Sequence, residues 1–214
     1  MKLRVILIPI LTLLLCTGVL YYWTVGFSAF TIFSYSLAKA NPVSKAFPAL
    51  ILINQDGKNL KFQNDYYKLV NFVYLDCPFV CHKVNNQIEG IYHLTDTDSI
   101  LKDLHFVTIS FDPLHDNVAK IKRYRSYFGT DINRWDFAIP TAMSSQVFYD
   151  HLQKIGLWKY QDKRTGVINH STSLYLVSPT NKIVAVFNPS RDSDEIIAQK
   201  IHQCIARSSY LAQS

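Results

Sequence analysis

From Val5 to Ala38 the chain carries no charged side chain, whereas beyond residue 41 apolar and polar positions interleave with the periods of strands and helices. The first pattern suits hydrocarbon: about 20 apolar residues span a bilayer. Lys2 and Arg4 precede the run and Lys39 follows it. By the positive-inside rule, basic residues ahead of the span hold the N-terminus in the cytoplasm and place the remainder of the chain outside. The expectation is a single-pass inner-membrane protein whose domain faces the periplasm. A cleaved signal has an apolar core of only about 7–15 residues, so the length favours a retained anchor, although Ala38-Lys39-Ala40 has the form of a cleavage site. Cys16 lies within the run, but Leu15 stands where a lipoprotein signal wants a small residue. The chain thus divides into 1–40, an anchor and short linker, and 41–214, a domain.

Leu50-Ile51-Leu52-Ile53, Asn54-Gln55-Asp56-Gly57 and Asn59-Leu60-Lys61-Phe62 read as a β-hairpin with a tight Asp-Gly turn. Leu69 to Leu75 is an almost unbroken apolar run, as in a strand covered on both faces. Val84, Ile88 and Ile91 then recur at helical spacing from Cys81 to about Leu94. Phe106 to Phe111 predicts a second central strand, ended by Asp112-Pro113, and Asn117 to Phe128 a helix. Ser144 or Ser145 caps a further helix through Ile155. Ser173 to Val177 and Lys182 to Phe187 form a hairpin, and Asp194 to Ala206 a last helix. This order is that of an α/β thioredoxin-like fold with an extra N-terminal β-hairpin and an inserted helix, preceded by a transmembrane helix.

The net charge of +6 loses Lys2, Arg4 and Lys39 with the first 40 residues, which contain no Asp or Glu, leaving +3 on the domain. Scattered lysines and arginines at that charge exclude a nucleic-acid reader, which needs a basic stripe. Cysteines are more telling, because outside the anchor there are only Cys77, Cys81 and Cys204. A domain of this length buries a sufficient core without staples, so the close pair reads as chemistry.

Cys77-Pro78-Phe79-Val80-Cys81 sets two thiols at i and i+4 where a buried strand turns into a helix. A first helical turn puts both on one face, and the free N–H groups and dipole of a helix start favour thiolate. Two thiolates are soft ligands for Cu(I) or Zn, and equally a reversible disulfide. A trigonal Cu(I) site lacks one more ligand. His170, in Asn169-His170-Ser171-Thr172 before a strand whose start lies beside the cysteine loop in a thioredoxin-like sheet, is the candidate.

The stretch Phe72-Val73-Tyr74-Leu75-Asp76-Cys77-Pro78-Phe79-Val80-Cys81 resembles the Sco/SenC family of copper chaperones and thiol oxidoreductases. Two further motifs stand in that family's order: Val107 to Asp116, a strand ending in Asp112-Pro113 with a second Asp, and Asn169-His170-Ser171 leading to Ser178-Pro179. The resemblance, from Phe47 onward, implies that Cys77, Cys81 and His170 bind copper and that the partner is the dinuclear copper site of cytochrome c oxidase subunit II. Other copper carriers or thiol–disulfide proteins are further implied partners. Two positions depart from the family: His82, where Pro is common, and Asn169, where Asp precedes the histidine.

Two functions fit these residues. A metallochaperone holds Cu(I) through two thiolates and His170 and passes it on by ligand exchange without turnover. A thiol–disulfide oxidoreductase uses Cys77 to attack and Cys81 to resolve, reducing the oxidase subunit or other exported thiols. A peroxidase would use a lone activated cysteine, and a closed zinc site four ligands where three are visible. Asp112 and Asp116 read as helix caps, Cys204 as a core residue in step with Ile197 and Ile201, and His93, His105, His115, His151 and His202 as surface or core histidines. Trp135, Trp158 and Tyr160 flank the segment before His170 as packing or docking aromatics.

Overall fold

The computed structural model describes all residues except 1, 28, 61, 63–64, 76–79, 130–131, 163, 165–167 and 214, and except the side chains of 2–5, 32–33, 80–82, 161, 168–169 and 209–213. Six helices, α1 (Lys2–Trp23), α2 (Ile32–Ala40), α3 (Val80–Asp96), α4 (Val118–Arg125), α5 (Ser145–Lys154) and α6 (Asp194–Gln213), accompany nine described strands. The strands are β1 (Ile51–Asn54), β2 (Asn59–Leu60), β3 (Lys68–Val73), β4 (His105–Ser110), β5 (Trp135–Thr141), β6 (Lys159–Gln161), β7 (Ile168–His170), β8 (Leu174–Val177) and β9 (Ile183–Phe187). The main sheet runs β2-β1-β5-β4-β3-β8-β9, and β6 and β7 pair separately. β3, β4 and β5 are parallel, with β1 antiparallel on β5 and β8 antiparallel on β3.

All six residues of β3 are buried, because each face of the sheet has its own core. Leu69 and Val73 pack with Ile88 and Ile91 of α3, Ile121 of α4 and Ile197 and Ile201 of α6. Val70 and Phe72 point the other way, toward Phe47, Phe148 and Leu152. Cys204 packs against the first cluster, and burial pushes its thiol pKa up, consistent with a structural role.

Threaded between the helices is a chain of buried polar groups. Trp135 Nε1 donates to Thr108 Oγ1 (2.9 Å), whose hydroxyl donates to Asn71 Oδ1 (2.7 Å). Asn71 Nδ2 donates to Asn85 Oδ1 (2.8 Å), and Asn85 Nδ2 to the Tyr124 hydroxyl (3.2 Å). It ties α3 to the sheet at the fourth residue after Cys81.

Three features depart from the sequence expectation. β5, the strand beside β4, is absent from it: Trp135, Phe137 and Ile139 alternate, but Asp136 and Pro140 interrupt the apolar signal. Asp136 is satisfied by the Asn54 and Gln55 amides at 3.3 Å. Trp135, at the start of this strand, is core at 1 % exposure, the packing role expected of it. Asp112 and Asp116 do not cap α4; Asn117 does, its side chain accepting from Lys120 N. Finally, the uncharged N-terminal run is two helices, since Val25, Gly26 and Phe27 take positive φ and Thr31 starts α2 with a capping box.

α2 packs where Gly156 follows α5. Gly156 has φ +82°, and a Cβ there would lie 2.9 Å from the Leu37 Cα and 3.2 Å from the Ala40 Cβ. Gly156→Ala is expected to cost about 1–2 kcal/mol through the left-handed backbone alone. It should also loosen α2, read as faster proteolytic cleavage between α1 and the domain.

Lys68, on β3, is 3 % exposed; its ammonium donates to the Tyr66 carbonyl (3.0 Å) and lies 5.3 Å from the Phe62 ring centroid. Burial lowers its pKa from 10.5 to about 8. The unfolded chain thus binds more protons between those values, and stability rises with pH across that window. The cost of the buried charge is fully present below pH 8. Lys68→Met should raise stability at pH 7 by about 1–2 kcal/mol, allowing for solvent screening, and should flatten the rise; urea unfolding at pH 7 and pH 10 measures both.

Candidate metal and thiol site

β3 ends at Val73 and α3 begins at Val80, so these two elements bracket the cysteine motif. Cys77, with the side chains of Cys81, His82 and Asn169, lies outside the described residues. The backbone places Cys81 in the first turn of α3, and that turn contains no acidic residue. A helix start of this kind, with free N–H groups and the positive end of the dipole, is a setting that favours thiolate.

His170 closes β7, where it pairs in register with Lys159 of β6. It shares a narrow crevice with Phe72 and Val73 at the end of β3 and with Val84 and Asn85 on α3. The fold therefore carries His170 to the two elements that flank the cysteines. Its Nδ1 donates to the Ser171 carbonyl at 2.9 Å, which fixes the proton on Nδ1 and leaves the lone pair on Nε2, the form a metal takes. The ring stacks on Phe111 with centroids 5.1 Å apart and planes 19° apart. Desolvation pushes its pKa below the ordinary value, partly opposed by the Ser171 carbonyl. The imidazole is thus oriented and held neutral.

Around it lies a charged aromatic rim that sequence reasoning missed. The Lys159 ammonium sits 3.4 Å from the Tyr149 ring centroid and 5.8 Å from that of Phe111. Desolvation lowers the Lys159 pKa, and the Asp112 carboxylate opposes this. Only the β6–β7 register brings Lys159 and His170 together, and those three-residue strands carry no periodic signal. Asp112 pairs with the His115 ring at 2.8 Å. Asp116 accepts from the Ser110 hydroxyl and pairs with Lys120 at 3.0 Å. Burial raises the Asp116 pKa against these partners. The two carboxylates thus serve separate partners, the His115 ring and the Lys120 ammonium, rather than one acid–base dyad. Among the described residues, no three His, Cys, Asp or Glu side chains converge as a second metal site.

The family model described as SCO1/SenC matches residues 38–206. A search of curated protein sequences finds no match. Among solved structures, a SCO1/SenC family lipoprotein from Bacillus anthracis superposes with TM-score 0.67 at 21 % identity, covering 77 % of this chain and 97 % of that one. Arabidopsis thaliana ScoI, solved with copper bound, gives 0.64 at 18 %, covering 76 % and 99 %. Yeast Sco1 with copper bound gives 0.59 at 18 %, covering 74 % and 87 %. These likenesses establish the thioredoxin-like fold.

Proposed function

The chain belongs to the SCO1/SenC family, and from that premise we propose that it carries Cu(I) on Cys77, Cys81 and His170 and delivers it to the dinuclear copper site of cytochrome c oxidase. The observation that carries this reading is the position of His170, its Nδ1 tied back to Ser171, in a crevice walled by the strand end and helix that flank the cysteines. Two thiolates and one neutral imidazole are the donor set of a soft monovalent ion. Copper is cargo here, released by ligand exchange as the partner's thiolates and imidazoles replace those of the carrier. That relatives of this fold are solved with copper bound supports the reading. α1 is long and apolar enough to cross a membrane, and we place the anchor there, with Lys2 and Arg4 on the cytoplasmic side and residues 41–214 as the copper-carrying domain facing the periplasm.

Thiol–disulfide exchange is the second reading, supported by the helix start at Cys81 and by a Sco relative described as having a disulfide switch. Cys77 thiolate would attack the partner's disulfide, releasing one partner thiolate and forming a mixed disulfide. Cys81 would then displace the second, leaving the partner reduced and Cys77–Cys81 oxidised.

Anaerobic titration of the reduced full chain with Cu(I) against a competing chelator tests the first reading. The expected result is one tightly held ion per chain. A chain that cannot compete for Cu(I) would rule out the carrier and leave the exchanger.

A further inference from the structure

Between α2 and the end of α5 runs a groove of about 910 Å³ that shares no lining residue with the crevice of His170. Its floor is apolar, formed by Phe47, Ile155, Leu157 and the indole of Trp158. Its rim is cationic, with Lys39 on α2, Lys45 just after it and Lys154 closing α5, and no carboxylate lines it among the described residues. Lys45 is engaged with the Ala40 carbonyl; Lys39, whose ammonium lies 5.9 Å from the Tyr35 ring centroid, and Lys154 are exposed on the rim. Two atoms belonging to lining residues, His151 Nδ1 and Asn181 Oδ1, are enclosed beneath its surface and make no hydrogen bond among the described residues. Asn181 is held in place, since its Nδ2 donates to the Phe47 carbonyl at 2.9 Å. A buried donor or acceptor without a partner costs free energy that a ligand can recover.

The position of the groove in the chain bears on what it could hold. α2 forms one wall, and only residues 24–31 separate it from α1. α1 ends in exposed Tyr21, Tyr22 and Trp23, the side chains that settle at a membrane interface. The groove is therefore tethered close to lipid headgroups. An apolar floor under two lysines, with a ring nitrogen and an amide oxygen within, matches an acyl chain, a phosphate and a headgroup bearing hydroxyls.

We propose that this groove binds an anionic phospholipid of the phosphatidylglycerol type, with its phosphate between Lys39 and Lys154 and part of an acyl chain along Phe47, Leu157 and Trp158. Opening of the groove by the lipid would bring the enclosed His151 Nδ1 and Asn181 Oδ1 within reach of its headgroup. The proposal rests on α1 lying in a membrane and is independent of copper.

The test uses the full chain in phosphatidylcholine vesicles containing either phosphatidylglycerol or phosphatidylcholine brominated on the acyl chain, at equal mole fraction. Bromine quenches indoles on contact. Trp23→Phe leaves Trp158 as the responsive reporter, Trp135 being enclosed at 1 % exposure. Trp158→Phe leaves Trp23 to report the anchor. The expected result is Trp23 quenched by both lipids and Trp158 quenched by the brominated phosphatidylglycerol alone. Lys39→Gln with Lys154→Gln should then weaken the Trp158 response roughly 30-fold in lipid concentration, equivalent to about 1 kcal/mol for each basic side chain. Equal quenching of Trp158 by both lipids, no quenching, or a response unchanged in the double variant would overturn the proposal. Relief of quenching by millimolar inorganic phosphate would reduce it to an anion site and overturn the lipid assignment. An unquenched Trp23 would overturn the anchor and the groove together, while Trp23 quenched with Trp158 still fully emissive would sink the groove alone.

Discussion

His170→Ala lowers the affinity of the reduced chain for Cu(I) by at least about 100-fold, since even partners that merely orient a ligand are worth roughly 10–100-fold. The substitution removes the imidazole, not the thiols, so the chain should still exchange its cysteine pair with a disulfide probe at close to the unmodified rate. The competition titration gives the first quantity and a thiol–disulfide stopped-flow assay the second. The split discriminates between the two readings of the site. An affinity unchanged by the substitution would mean that copper is held by the thiols alone and that His170 serves packing against Phe111. Loss of both properties would mean that the ring holds the cysteine loop in shape. Retained thiol exchange with lost affinity identifies a ligand.

Asn71→Leu is expected to destabilise the domain by about 2–4 kcal/mol, because it orphans two buried partners at once. The Thr108 hydroxyl loses its acceptor and the Asn85 carbonyl its donor, both inside the sheet–helix layer. Apolar replacement of both amides should be cheaper than the sum, since Asn71→Leu with Asn85→Leu leaves fewer stranded groups. Urea midpoints of the singles and the double measure this coupling. A strictly additive cycle would show that the chain of hydrogen bonds from Trp135 to Tyr124 is not a cooperative unit. Because Asn85 lies on α3 and lines the crevice of His170, the single variants should also bind Cu(I) more weakly than their stability loss alone explains.

How far the sequence could be read depended on which physical signals are local. The almost continuous apolar run of β3, the helical period of α3 and the Asp56-Gly57 turn are local, and β3 and α3 stand within about two residues of where the pattern put them. Asp136 hides β5, because a carboxylate in a central strand is intelligible only once the Asn54 and Gln55 amides, 82 and 81 residues earlier in the chain, are known to meet it. Asp112 and Asp116 look like caps because they precede a helix, yet Asn117 sits at the turn where the chain enters α4. At the site, the order of motifs singled out His170, and the structure adds the Ser171 carbonyl that sets its tautomer and the Phe111 face that sets its plane. Lys159 and Tyr149 were invisible because their nearness to His170 comes from the register of a short strand pair.

The seating of α2 on Gly156 changes how encounters with a partner are counted. Were the uncharged run one continuous anchor ending in a loose linker, the domain would explore a wide hemisphere. With α2 fixed to the domain, only residues 24–31 are left as leash, at most about 29 Å when fully extended. With α1 held in a bilayer, as proposed, collision becomes a two-dimensional search: a target rooted in the same bilayer meets the domain at high effective concentration, and one dissolved in the bulk gains nothing from the tether.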